Sequence, residues 1–170
     1  VLVRRLLPLA LMLAALLVAG CGGGEEKGPQ TRAGFIAAAD GVCSDASTDL
    51  AEAGSDNPKT PSDIAKANDV LADIYGKLAD GISDVELPAT GAARRDAQAF
   101  VSSVKAADPL AQRLRTVSKD FEQAVDKNDR NAITASGSQV RSALGAFRAA
   151  RADSDRRAIA YGLQVCGSLG

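Results

Sequence analysis

The sequence predicts an all-α chain, an antiparallel up-and-down four-helix bundle with a kinked third helix. Three observations carry that expectation. Of 170 residues 33 are alanine, only 4% are aromatic and tryptophan is absent, which favours helices and lacks the β-branched and aromatic content of strands. Apolar residues recur at alternating spacings of three and four in four separate stretches, the period of an amphipathic helix. Short clusters of turn-forming residues join the stretches, as antiparallel neighbours require. No stretch demands a strand.

Thr31 can cap a first helix reaching about Ala53, with Ile36, Ala39, Cys43, Ala46, Leu50 and Ala53 on one stripe. Cys43 therefore faces the core. Gly54-Ser55-Asp56-Asn57-Pro58 is a turn cluster. A second helix opens with Thr60 as N-cap, Pro61 at the first helical position and Asp63 in the first turn. Its stripe is Ile64, Ala67, Leu71, Ile74, Leu78 and Ile82, the most apolar of the four, and Leu87-Pro88-Ala89-Thr90-Gly91 ends it.

The third helix is the longest, from about Ala92 to Lys127, with Ala93, Ala97, Phe100, Val104, Ala107, Ala111, Leu114 and Phe121 on its stripe and Val117 and Val125 beside it. Pro109 falls inside this run. Proline removes a hydrogen bond and clashes with the preceding turn, so Asp108-Pro109 is either a kink or a cap that starts a new helix. The stripe keeps its phase across the proline, which favours one kinked helix. After a turn at Asn128, Asp129 can cap a fourth helix running to Tyr161. Its seam is Ile133, Gly137, Val140, Leu144, Phe147, Arg151, Ser154, Ala158 and Tyr161, apolar in the first half and weaker in the second. Gly162 fits the left-handed C-cap position, with Leu163 folding back onto the helix.

The amino-terminal run decides where this bundle is expected to reside. Arg4 and Arg5 precede an apolar segment from Leu6 to Val18, interrupted by Pro8, and Ala19-Gly20 leads into Cys21. The run is shorter than the roughly 18 to 20 residues of a membrane-crossing helix and has the layout of a secretory signal peptide. Val18-Ala19-Gly20-Cys21 closely resembles the lipobox of bacterial lipoproteins. That resemblance implies a leader at 1–20, cleavage before Cys21, and a diacylated or triacylated cysteine holding the chain to the cell membrane or outer envelope on its extracytoplasmic side. Residues 21–30, glycine-rich and without apolar periodicity, read as the lipidated cysteine and a flexible tether, and 31–170 as one helical domain.

With Cys21 assigned to lipid, Cys43 and Cys166 remain as an even pair in an oxidising compartment. Cys43 faces the core and Cys166 follows a helix stop, so a disulfide is expected to staple the first helix to the segment after the last. The mature region also resembles small secreted alanine-rich lipoproteins of actinobacteria, which have an early helical cysteine and an ending like Tyr161-Gly162-Leu163-Gln164-Val165-Cys166-Gly167. The resemblance supports the fold and the bond and implies no reaction.

Composition narrows the function classes. Removing Arg4 and Arg5, the only charged residues before Cys21, takes the net charge of −1 to −3, which argues against nucleic acid as a partner. There is no histidine, so the commonest general base and the commonest transition-metal ligand are both missing. Glu52 and Glu122 are the only glutamates well inside helices, too few for a carboxylate-bridged di-metal centre. No catalytic residue, cofactor or metal is expected. The leading expectation is a non-enzymatic structural or interaction module of the envelope with an unidentified protein partner. The alternative is a lipoprotein that binds a small ligand in the bundle core or an anion on the last helix, through Arg148, Arg151, Arg156 and Arg157.

Overall fold

The structure, a computed structural model, describes residues 30–54 and 58–169. The expected leader at 1–20, Cys21 and the tether up to residue 29 lie outside the described residues. Four helices run up and down: α1 (Arg32–Glu52), α2 (Pro61–Asp84), α3 (Gly91–Asp126) and α4 (Arg130–Tyr161), followed by a short 3-10 turn, Cys166–Ser168. There is no strand among the described residues.

The boundaries follow from local chemistry. Thr31 accepts the Gly34 amide at 3.0 Å and starts α1. Thr60 accepts the Asp63 amide while the Asp63 carboxylate accepts the Thr60 amide, a capping box ahead of Pro61. Asp129 accepts the Asn131 and Ala132 amides and starts α4. Gly162, at φ 97°, ends α4 in the left-handed conformation that a side chain would resist, and the Leu163 amide returns to the Ala158 carbonyl. α3 continues through Pro109 without a break. Pro109 and Lys105, one turn before it, both face solvent, so the carbonyl freed by the missing N–H can be satisfied by water.

α3 is the axis of the bundle, packed along its length by α2 on one side and α4 on the other, whereas α1 packs mainly on α2. Polar contacts set the α2–α3 register: Asn68 donates to Ser118 Oγ (2.8 Å), Gln112 to the Ala72 carbonyl (3.1 Å) and Arg115 to the Asp69 carbonyl (2.6 Å). Arg115 also pairs with Asp73, and Lys119 with Asp69 at 2.7 Å. α1 meets α2 where Gly81 removes a side chain, since a Cβ there would lie 2.8 Å from Val42 Cγ1.

Helix length then divides the molecule. At 1.5 Å per residue α1, with 21 residues, is about 32 Å long and α3, with 36, about 54 Å. Lys77 on α2 pairs with Asp49 near the end of α1 at 3.1 Å, so the part of α2 before Ile74 extends past α1. One end of the bundle therefore holds four helices and the C-terminal tail, the clasped end. The other holds α2, α3 and α4 alone, the open end.

Burial follows this division and corrects several expected stripe positions. In α1 the core face is Phe35, Ala39, Cys43 and Ala46; Ile36 is half-buried and Ala53 exposed. Phe35 is fully buried, because a register of four, four and three brings its large ring inward in place of Ile36. In α2 Ala65, Ala72, Tyr75 and Ala79 join Ile74, Leu78 and Ile82 inside, while Ile64 and Leu71 are half-buried and Ala67 exposed. In α3 Val117 is buried whereas Ala93, Phe121 and Val125 are only half-buried. In α4 the first half turns Ser136 and Ala143 inward, leaving Ile133, Gly137, Val140 and Leu144 half-covered. The second half buries Phe147, Ser154, Ala158 and Tyr161. Burial is thus deeper in the second half although the first carries the more apolar seam. At the open end α2 and α4 pack on α3 but make no close backbone approach to each other, so part of each apolar stripe is only half-covered.

Candidate functional site

The most constrained region is the clasp between α1 and the C-terminal tail. Cys43 and Cys166 form a disulfide with Cα atoms 5.1 Å apart, across a sequence separation of 123, and both residues are buried. One turn before Cys43 on the same face stands Asp40. Its carboxylate accepts the backbone amides of Gln164 (3.0 Å), Val165 (2.9 Å) and Cys166 (3.1 Å), fixing the tail where its cysteine meets Cys43. At the start of α1 Arg32 donates to the Tyr161 carbonyl at 2.5 Å and lies over the Tyr161 ring at 5.0 Å from its centroid. Phe35 meets the same ring edge-on, with centroids 5.4 Å apart. α1 and α4 make no close backbone approach, so the tail and the Arg32 and Phe35 contacts with Tyr161 are what join them.

The fourth-helix arginines do not converge. Arg156 and Arg157 both engage Asp153, at 3.0 and 2.8 Å, one turn of the same helix away. The hydrogen bond from Arg157 does most to hold the Asp153 carboxyl below the usual carboxylate value; burial opposes it, and the hydrogen bond from Arg156 adds to it. Arg151 lies 3.8 Å from Asp155, and Arg148 is exposed one turn away. The four are spread around the helix with three of them engaging carboxylates, so no anion cradle is built from them.

Beside the disulfide lies a small, largely apolar cavity. Tyr75, Arg151, Ser154 and Asp155 meet Cys43 and Cys166 around a cavity of about 10 Å³, room for roughly one water. Ser154 Oγ is buried there without a hydrogen-bond partner among the described residues. Burial pushes the Tyr75 hydroxyl up to about 12, with Arg151 opposing and Asp155 adding to the shift. Burial likewise raises Asp155, against the pull of Arg151. Tyr75 also packs edge-on against Phe147 at 4.8 Å. The Tyr75 ring is buried in the core, and the cavity beside it has no room for more than about one water.

A groove of about 840 Å³ opens at the junction of the two ends. Leu50 and Ala53 of α1 form one wall, Ala67, Val70, Leu71 and Ile74 of α2 the other, and Lys59, Asp63 and Lys66 stand on the rim. It exists because α1 stops short. Among the described residues no group of three or more potential metal-binding side chains is assembled, and no helix is long and apolar enough to cross a membrane.

Sequence reasoning found the cysteine pair but neither Asp40 nor the groove. Asp40 stands three residues before Cys43, a spacing that places it on the cysteine's face. The groove was not foreseen, although the unequal lengths expected for the first and third helices already implied an overhang. The chain matches no protein-family model, no curated protein and no solved structure.

Proposed function

We propose that this protein is a lipid-anchored, extracytoplasmic module of a bacterial envelope, tethered through Cys21 and acting by interaction and not by catalysis. The observation that supports it best is the buried Cys43–Cys166 bond, since persistent disulfides belong to oxidising compartments. Val18-Ala19-Gly20-Cys21 resembles a lipobox, and only nine residues, 22–30, separate Cys21 from the Thr31 cap of α1. So short a connection would keep the clasped end of the bundle close to the membrane. Two or three acyl chains on Cys21 would hold it there stably, whereas one would not.

The filled interior favours this reading over ligand binding within the bundle core. A core-binding protein has a concave site of several hundred Å³ with convergent polar groups, and the cavity beside the disulfide has about 10 Å³. Metabolic labelling with an alkyne-bearing fatty acid tests the anchor. The full chain acquires the label and sediments with membranes, and Cys21→Ser loses both properties while its Cys43–Cys166 bond still forms. Label retained in Cys21→Ser, or two alkylatable thiols at Cys43 and Cys166 in cell-derived protein, overturns the reading.

A further inference from the structure

We propose that one flank of α4, marked by Arg130, Arg141, Arg148 and Ile159, lies against the anionic head groups of a lipid bilayer, so that the domain rests on its side instead of standing upright on its tether. The inference rests on the anchored-module reading for the nearness of a membrane, and adds to it the surface that meets the lipid.

Three observations carry it. The four residues are separated by 11, 7 and 11 positions, each within about 20° of a whole number of helical turns, so they stand on one line about 44 Å long. All four are exposed, and Ile159, at 64%, is one of only two large apolar side chains left exposed among the described residues. The charge is also one-sided. α4 carries six arginines and two aspartates, a net charge of +4, whereas α1, with one arginine and four carboxylates, and α2, with two lysines and five, are each at −3. Both α4 aspartates are half-buried, so no exposed residue of that helix is acidic. Finally, Arg130, Arg141 and Arg148 form no salt bridge with a described residue, unlike Arg151, Arg156 and Arg157. The carboxylate just before the row, Asp129, is committed to the helix cap.

The arrangement selects a broad anionic surface in preference to a single ion. Arginines about 16 and 10 Å apart along the axis do not converge on one anion, yet each can meet a separate phosphate of a lipid layer. Ile159, at the end of the row, discriminates further, because a bilayer offers an acyl boundary for an apolar side chain to enter and a soluble polyanion offers none. α1 and α2 make no close backbone approach to α4, so the acidic helices stand apart from the basic one.

The test supplies the membrane directly. The oxidised chain from Gly22 onward, which contains every described residue and carries no acyl group, is titrated with phosphatidylcholine vesicles made with and without phosphatidylglycerol. Phosphatidylglycerol strengthens binding at least tenfold, and added salt removes the gain. Arg141→Gln and Arg148→Gln each weaken it about fivefold. Lys66→Gln, the same charge change on α2, alters it less than twofold. All of these positions are exposed, and circular dichroism confirms that each variant is folded. The chain has no tryptophan, so Ile159→Trp is a single reporter: its emission moves to the blue on anionic vesicles and is quenched by brominated acyl chains, whereas that of Val70→Trp on α2 is not. Equal binding to neutral and anionic vesicles overturns the proposal. So does indifference to both arginine substitutions, quenching of Val70→Trp in place of Ile159→Trp, or arginine-dependent binding of soluble polyphosphate by a protein that ignores the vesicles. The two readings fail separately: fatty-acid label on Cys21 without vesicle binding overturns only this one, and vesicle binding without label overturns only the anchor.

Discussion

The two ends of this bundle are built from the same alanine-rich helices, yet only one is closed. At the clasped end Phe35, Phe100, Phe147 and Tyr161 are buried around a disulfide, and the Asp40 carboxylate binds three tail amides. At the open end the large apolar residues Ile64, Phe121, Ile133 and Val140 are half-covered; Leu114 and Val117 are buried, and the other buried positions include the small residues Ala65, Ala124 and Ser136. Alanine buries little area per residue, so a bundle of this composition needs either large side chains or a cross-link to gain a margin of stability. Here the buried rings and the cross-link are concentrated at one end. The difference separates two tasks: the clasped end secures the fold, and the open end leaves apolar surface accessible.

The comparison can be broken most forcefully at the cross-link. Replacing Cys43 and Cys166 with serine releases a closed loop with a sequence separation of 123 and lowers stability by about 4 to 5 kcal/mol in the entropic account, measured by urea unfolding. A loss under 1 kcal/mol would mean that packing alone holds the tail. Next in size is a pair of ring deletions. Phe35→Ala costs about 3 to 5 kcal/mol, because it empties a fully buried site among rigid neighbours. Phe121→Ala, at the open end, costs at most about 2 kcal/mol, since its ring is only half-buried. Equal losses would remove the distinction between the ends.

Asp40→Asn isolates the carboxylate. The variant keeps the shape, weakens three charge-assisted hydrogen bonds and lowers stability by about 1.5 to 3 kcal/mol. The accompanying signature is faster amide exchange at Gln164, Val165 and Cys166. The smallest effect lies at the start of α2. The Thr60 hydroxyl, followed by the Lys59 and Thr60 amides, holds the Asp63 carboxyl below the usual 3.8. A depressed folded value means that the contribution is present above the unfolded value and is lost as the pH falls through the folded one. Thr60→Val therefore raises the Asp63 midpoint toward 3.8 in an NMR titration and removes part of the acid-side loss of stability; an unmoved midpoint contradicts the assignment.

Much of this architecture could be read from the residue order, and the parts that could not have identifiable causes. Thr60-Pro61, Asp129 and Gly162 announce their boundaries through chemistry that acts within one turn, and the structure places the helix ends there. The pairing of Cys43 with Cys166 followed from one core-facing cysteine and one beyond a helix stop. Phe35 and Ile36 are adjacent and apolar, and periodicity alone does not say which faces inward; the Tyr161 ring decides it from across the bundle. Val140 and Leu144 lie on a proper helical stripe, but whether a stripe is covered depends on which helix reaches it. Asp40 shows the same limit, since its partners are tail amides more than 120 residues away, at separations of 124, 125 and 126. Arg156 and Arg157 do not, because their partner Asp153 lies within one turn of the same helix.

Amide hydrogen exchange, resolved by helix, in the oxidised and the reduced protein tests the division of the molecule most directly. Upon reduction α1 and residues 162–169 should lose most of their protection, while the facing segments of α3 and α4 near Leu114 and Ala143 retain most of theirs. Uniform loss along all four helices, or unchanged protection of α1, would contradict a fold secured from one end.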